Sequence, residues 1–342
     1  MIELFGTLGP ACADREIIAE MLKQGMHGMR LNLSHGSLEN SGKMLEEYRA
    51  AQEMCGITAE LLIDMQGSEL RVNKPSEPLE MKRGDRIMLS CSDRGIIIPE
   101  CLMHVLETGD AVLIDDGVIE LAVLSVQQEC TEAEVVRGGI LKDRKSIKAV
   151  NKDVYGPVFT ETDYENIRNA GRYGVTAVMQ PFVRNGEDLK EVRRILNDNG
   201  CENLRIFAKI ESREGMRNLE SIIPEADMIV IARGDLGNDM PLWDLPAAQK
   251  YIGEKCLQAD VPFLVVTQML ASMVSSPVPT RAEVSDIFRA VTEGASALMV
   301  TNETAAGKYP AEVIRYLHQT AESAEAWMQG SFSVLQDQPA IF

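Results

Sequence analysis

Short apolar runs alternate along most of this chain with longer stretches whose apolar residues recur every three or four positions. Residues 2–8, 29–33 and 61–65 read as strands, and after a break so do 177–183, 205–210, 228–232, 262–267 and 297–301. Between the first two, Asp14 is placed to cap a helix whose Ile17, Ile18, Met21 and Leu22 share one face and which Gly25 closes. Thr160 to Asp163 supplies cap residues for another helix, ahead of the fourth strand. Strands that are apolar on both faces and alternate with helices are the mark of parallel βα units. Eight such units in roughly 250 residues predict an α/β fold, a (β/α)8 (TIM) barrel. An open, doubly wound sheet is the other arrangement compatible with the pattern.

The break, residues 72–156, has a different rhythm. Residues 86–90, 111–114, 118–126 and 132–136 are short and β-like, separated by turn signals such as Lys82-Arg83-Gly84-Asp85 and Asp115-Asp116-Gly117. This predicts a small all-β domain inserted after strand 3, on the barrel face where active sites form, and so able to act as a lid. The expected division is a barrel of residues 1–71 and 157–325, a lid of 72–156 and a tail of 326–342 with no strong pattern and no room for a further domain.

Composition narrows the function classes. With 342 residues, 45% of them hydrophobic, the chain can bury an ample core. Its 52 acidic and 34 basic residues give a formal charge of −18, which disfavours general binding to nucleic acid or to an anionic membrane. A few convergent basic residues could still hold an anion. The cysteines (12, 55, 91, 101, 130, 201 and 256) are odd in number, widely spaced and form no CxxC pair, so reduced thiols are expected rather than a disulfide framework or zinc site. The N-terminus does not read as a signal peptide, and no apolar run reaches the roughly 18 residues needed to cross a membrane. A cytoplasmic protein is expected.

The chemistry stands where the strands end. In a barrel these positions ring one mouth. Glu211 and Asp235, at the ends of neighbouring strands, could share a hard divalent cation, or be solvated strand-end acids. Lys209 lies two residues before Glu211 and so points to the same side of its strand. It could hold a transferring phosphoryl group or neutralise an enolate; a salt bridge across the mouth is the plainer role. Gly234 and Asp235 could offer backbone N–H groups to a carboxylate or phosphate. Asn32, Ser34 and Asp64 make an oxygen set suited to a monovalent or hard cation, or to ordinary hydrogen bonding. Arg30 and Arg71 could clamp a phosphate, though arginines are also common on surfaces. Thr267 offers a hydroxyl at a strand end, for placing a proton or simply for packing. His27, His104 and His318 read as structural or exposed, and His35 differs only in standing at a strand end.

Taken in order, the segments TLGPACAD, RLNLSHGS, IDMQGSELR, VLIDDGVI, GGILKDRK, AKIES, IARGDLG, TQMLASM, PTRAEVSD and NETAAGKYP resemble the pyruvate kinase family over about residues 4–325. The resemblance implies a (β/α)8 barrel with a β-rich lid after strand 3, transferring a phosphoryl group from phosphoenolpyruvate to ADP or another nucleoside diphosphate to leave pyruvate. It implies Mg²⁺ (or Mn²⁺) on Glu211 and Asp235, and K⁺ on Asn32, Ser34, Asp64 and the carbonyl of Met65. Lys209 matches the lysine that stabilises the phosphoryl group in flight, Arg30 the arginine on the phosphate, and Thr267 the threonine linked to enolate protonation. Gly234 and Asp235 match the amides that hold the substrate carboxylate. Glu69 occupies the position tied to K⁺ dependence. Arg30, His35, Arg71 and Lys145 fall on the nucleotide side, and Arg281 matches an arginine at a subunit interface. A homo-oligomer, dimer or tetramer through the barrel, is implied too.

Departures from the family pattern are as informative. The family's C-terminal domain, with its effector sites, is not expected here. Gln66 stands for a lysine, Ser68 for a proline, Pro181 for a small residue, Asn302 for a glycine, Ala306 for a lysine and Asn40 for a tyrosine beside the adenine. The segment leaving the lid reads Ser146-Ile-Lys-Ala-Val-Asn151 instead of Gly-Val-Asn-Leu-Pro-Gly. The metal and phosphoryl set is whole, while the nucleotide side and the hinge are altered. Two rival functions follow: a metal-dependent lyase acting on another enolpyruvyl or 2-oxo acid without nucleotide, and a ligand-holding pseudokinase without turnover.

Overall fold

In the computed structural model the eight apolar runs close on themselves. The structure describes residues 2–331 except 35, 68, 74–76, 93–94, 116, 128–129, 143, 151, 153 and 155. The strands are β1 (Glu3–Leu8), β2 (Gly28–Asn32), β3 (Glu60–Asp64), β4 (Ala177–Gln180), β5 (Arg205–Ile210), β6 (Met228–Ala232), β7 (Phe263–Val266) and β8 (Ala297–Met299). Each pairs in parallel with its neighbour in sequence, and β8 returns to β1 with Ala297 opposite Glu3. That last pairing excludes the open sheet.

The strands are mostly apolar because both of their faces are buried. Alternate residues face inward, where Phe5, Leu62, Phe207, Met228, Val230, Leu264 and Met299 join in one cluster that fills the barrel. The residues between them, such as Ile206, Ile229, Val265 and Leu298, face outward and pack under the helices. Asp14 caps the helix Arg15–Lys23 through the amides of Glu16 and Ile17. Thr160 and Asp163 form a reciprocal capping box on Glu161–Tyr173. Two strands are shorter than the apolar runs suggest. β4 stops at Gln180 because Pro181 has no N–H to donate, and Phe182 then turns with φ of 49°. β8 stops at Met299, since the chain enters the helix Asn302–Ala305.

Between β3 and Glu161–Tyr173 the chain builds a six-stranded sheet and a two-stranded one around a separate apolar cluster that includes Val112, Ile119, Leu121 and Val135. The runs 86–90 and 111–114 are strands as expected, and the other two expected runs become Ile119–Val126 and Cys130–Arg137. Burial alternates along Ala111–Ile114, Ile119–Val126 and Cys130–Arg137, because one face meets the cluster and the other faces outward. Four further strands, Leu79–Met81, Ile96–Ile97, Gly139–Leu141 and Ile147–Ala149, are each too short to carry a legible alternation. A short helix, Glu100–Met103, follows Pro99, so the lid is not wholly β. Among the described residues no helix is long and apolar enough to cross a membrane.

Candidate active site

Strand parity delivers the charged residues to the mouth. On β5, Phe207 points into the barrel core, so Lys209, two residues on, points inward one layer higher, and Glu211 follows at the rim. Arg30 and Asn32 stand on the corresponding side of β2, Asp64 follows Leu62 on β3, and Thr7 follows Phe5 on β1. These strands therefore exchange an apolar filling for a polar layer at the same end.

The layer is an ion cluster. Lys209 Nζ lies 2.9 Å from Glu211 Oε1 and donates to both oxygens of Asp64, at 3.2 and 3.3 Å. Arg30 reaches the same Asp64 from the other side, its Nε at 2.8 Å and its Nη2 at 2.7 Å from Oδ2. Arg30 Nη1 also lies 3.4 Å from Thr7 Oγ1, which donates to the carbonyl of Val300. Asp64 and Glu211 are each only 2% exposed.

Burial sets the protonation of this cluster, and neighbouring charges decide its sign. Burial alone would raise Asp64, but Lys209 and Arg30 outweigh it and hold the carboxyl below its ordinary value. Burial alone would lower Lys209; Asp64 and Glu211 reverse that and hold the ammonium up. Glu211 is the exception. Burial pushes it up to about 7, Lys209 opposes the shift, and the negative charges of Asp235 and Asp64 add to it. The mouth thus sets three carboxylates, two of them buried, against two cations.

One cavity is lined by Arg30, Asn32, Ser34, Asp64, Met65, Lys209 and Asp235, with Glu69 and Arg71 on its edge. A second, between barrel and lid, is lined by Glu211 and Asp235 below and by Ser146 and Lys148 above. Glu211 and Asp235 meet at this second cleft. Among the described residues no three His, Cys, Asp or Glu side chains converge on one point. A divalent ion there would have these two carboxylates and would complete its shell with water and substrate oxygens, the arrangement that suits Mg²⁺. The raised value of Glu211, which a bound cation would lower, is consistent with that fit. The Asn32, Ser34, Asp64 and Met65 set offers oxygen donors alone, as a hard monovalent ion requires. The side-chain oxygen of Asn32 already accepts from the backbone N–H of Ser34 at 3.0 Å, which fixes its direction.

Gly234 and Thr267 adjoin: a Cβ on Gly234 would lie 3.2 Å from Thr267 Cγ2, so the glycine permits the close approach. Other expected residues are held elsewhere. Lys145 pairs with Asp115 inside the lid at 2.7 Å rather than with barrel residues. Arg71 pairs with Glu69 and donates to the carbonyl of Arg144, tying the two stems of the lid together. Arg281 is exposed at the start of the helix Arg281–Thr292. His35 and Ser68 lie outside the described residues.

The sequence reading gave no role at the site to three residues that organise it. Arg233 donates to the carbonyl of Thr267 and pairs with Asp286 at 2.7 Å. Asp163, besides its capping duty, accepts the backbone N–H groups of Gln66 and Gly67 at 2.8 and 3.0 Å and so shapes the loop after β3. Asp239 accepts the N–H of Arg213 at 2.8 Å. The capping signal at Thr160–Asp163 was visible in sequence; the longer-range contacts left no local trace.

Comparison with known proteins agrees with this architecture. The family model described as pyruvate kinase, barrel domain, matches residues 2–314. A pyruvate kinase of Geobacillus stearothermophilus is 35% identical over 328 residues, covering 93% of this chain and 56% of that protein. One from Clostridium perfringens is 34% identical, covering 94% of this chain and 69% of that protein. The solved structure of a pyruvate kinase from Cryptosporidium parvum superposes with a TM-score of 0.87 at 31% identity, covering 95% of this chain and 69% of the other. The chain therefore spans little more than half the length of the first of these relatives.

Proposed function

The chain belongs to the pyruvate kinase family, and on that premise we propose that it moves the phosphoryl group of phosphoenolpyruvate to ADP or another nucleoside diphosphate, releasing pyruvate. The observation that carries this reading is Lys209, a cation held in a nearly dry mouth between two buried carboxylates. Phosphoryl transfer asks mainly for positioning and for spread positive charge. Lys209 and Arg30 supply that charge in a protein that is otherwise strongly acidic.

In this reading Glu211 and Asp235 would hold Mg²⁺ or Mn²⁺, and Asn32, Ser34, Asp64 and the Met65 carbonyl would hold K⁺. The divalent ion, when bound, draws charge from the phosphoryl oxygens. Lys209 exchanges part of its contact with Asp64 and Glu211 for the phosphoryl group in flight. Arg30, already braced by Asp64, meets the phosphate with its remaining donors. The backbone N–H groups of Gly234 and Asp235 receive the substrate carboxylate, and Thr267 places the proton that converts enolate to pyruvate. Arg71, Lys145 and His35 serve the nucleotide phosphates; for Lys145 this means leaving Asp115. Residues 72–156 act as the lid over the barrel of 1–71 and 157–325, excluding water that would otherwise accept the phosphate. The protein works in the cytoplasm as a homo-oligomer and binds neither nucleic acid nor membrane.

The deciding experiment measures pyruvate formed from phosphoenolpyruvate with Mg²⁺ and K⁺ in the presence of ADP, GDP or no nucleotide. Turnover that requires a diphosphate supports the reading and identifies the accepted base. Pyruvate formed without nucleotide means that water takes the phosphoryl group and replaces the reading with a hydrolase, and binding of phosphoenolpyruvate without turnover replaces it with a ligand sensor.

A further inference from the structure

Lys148 lies on the strand Ile147–Ala149, at the edge of the lid's larger sheet. Its Nζ crosses to the barrel, donating to the carbonyl of Asn238 at 3.0 Å and lying 3.6 Å from Asp239 Oδ1. Among the described residues the ion pairs of the lid's other basic groups stay inside it: Lys82 with Glu80, Arg86 with Glu132, Arg137 with Glu120, Lys145 with Asp115, and Lys152 with Glu107 and Asp110. The Lys148 pair, by contrast, spans the cleft.

What Lys148 grips matters more than that it grips. Asn238 is the last residue of the helix Arg233–Asn238, which follows β6 and carries Asp235, and Asp239 is that helix's C-cap. A cation at this end meets a carbonyl with no partner in the helix and the negative end of the helix dipole. The second oxygen of Asp239 accepts the backbone N–H of Arg213, two residues past Glu211. One carboxylate therefore touches the lid, ends the segment bearing Asp235 and anchors the segment bearing Glu211.

We propose that Lys148 is a positioning residue, a reversible clasp that holds the lid closed and, through Asp239, seats the two strand-end segments carrying Glu211 and Asp235. The inference rests on the phosphotransferase reading for its kinetic consequences, not for its geometry. Lys148 and Asp239 are 39% and 26% exposed, so the bond is weak enough to break in every catalytic cycle and is screened by salt. The clasp keeps a larger fraction of molecules in the closed, binding-competent form, and that fraction enters apparent affinity directly.

The test compares the full chain with Lys148→Met, Lys148→Arg, Asp239→Asn and the Met/Asn double variant. Asp239→Asn keeps an oxygen for the Arg213 N–H and loses the charge. Lys148→Met is expected to raise KM for phosphoenolpyruvate about three- to tenfold with kcat little changed, in line with a partly exposed ion pair. Lys148→Arg should recover most of the loss, the double variant should be no worse than the poorer single one, and rising salt should close the gap to wild type. Hydrogen exchange of the ligand-free proteins supplies a readout that needs no turnover: residues 147–149 and 213–217 should exchange faster in Lys148→Met. Unchanged KM and unchanged exchange overturn the clasp, as do losses in the two single variants that simply multiply. If wild type forms no pyruvate but exchange still accelerates in Lys148→Met, the clasp stands and the proposed activity falls.

Discussion

Arg233 holds the carbonyl oxygen of Thr267 with two donors, Nη2 at 2.6 Å and Nε at 3.2 Å. The grip is needed because Thr267 has φ of 83° and Gln268 φ of 56°, a left-handed turn that a β-branched residue resists. Such strain costs on the order of 1–3 kcal/mol per residue and persists only when the surroundings enforce it. Asp286 fixes the guanidinium from behind. Arg233→Lys cannot reproduce the two-pronged contact. It is expected to lower stability by about 2 kcal/mol and to reduce kcat more than it raises KM, because Thr267 loses its orientation. Denaturant unfolding together with steady-state kinetics checks this, and wild-type values for both would show that the turn holds itself.

Lys209→Met tests the centre of the cluster. Removing the cation leaves Glu211 buried without Lys209, its close positive partner among the described residues, while Asp64 keeps Arg30. Breaking one side of a buried pair costs roughly 3–5 kcal/mol. The variant should fold less stably, lose phosphoryl transfer, and still bind Mg²⁺ in calorimetry because both proposed ligands remain. Transfer that survives the substitution removes Lys209 from its assigned role.

If Glu211 holds the metal as proposed, binding depends on pH in a stated direction. Its folded value, about 7, lies above the ordinary 4.5. Its contribution to stability in the metal-free protein is therefore fully present below 4.5 and is lost as pH rises through about 7. A divalent ion requires the ionised form, so binding below pH 7 should release a proton, and apparent affinity should weaken by about tenfold per unit as pH falls. Titrations in buffers of different ionisation enthalpy count that proton. An affinity that stays flat from about pH 8 down to about 5.5 would place the ion elsewhere.

The barrel was legible because both faces of its strands are buried, which writes itself into sequence as short, mainly apolar runs. Met228–Ala232 and Arg205–Ile210 fall where the pattern sets them. The ends of β4 and β8 were less legible, since periodicity does not register Pro181's missing donor or the early turn into Asn302–Ala305. In the site, the shared face of Lys209 and Glu211 followed from their spacing of two, and their contact at 2.9 Å agrees. The braces are another matter. Arg233 meets Thr267 across 34 positions, and Lys148 meets Asn238 across 90. Contacts of that range depend on the closed barrel and leave no period to read.

The interior of the barrel predicts the steepest stability difference in the molecule. Phe207 is fully buried beneath Lys209, packs edge-on against Phe5 with centroids 6.3 Å apart, and lies under the Arg205 guanidinium at 4.9 Å. Phe207→Ala opens a cavity among strands that cannot collapse inward, and should cost roughly 3–5 kcal/mol. Trp243 is as large a side chain but is 81% exposed, beside Leu242 at 71%. In an isolated subunit Trp243→Ala should therefore change stability by less than about 0.5 kcal/mol. Urea unfolding at several protein concentrations separates the cases. A large, concentration-dependent loss for Trp243→Ala means that a second copy of the chain covers this face, as a homo-oligomer would require. A small loss for Phe207→Ala would contradict the packing of the barrel itself.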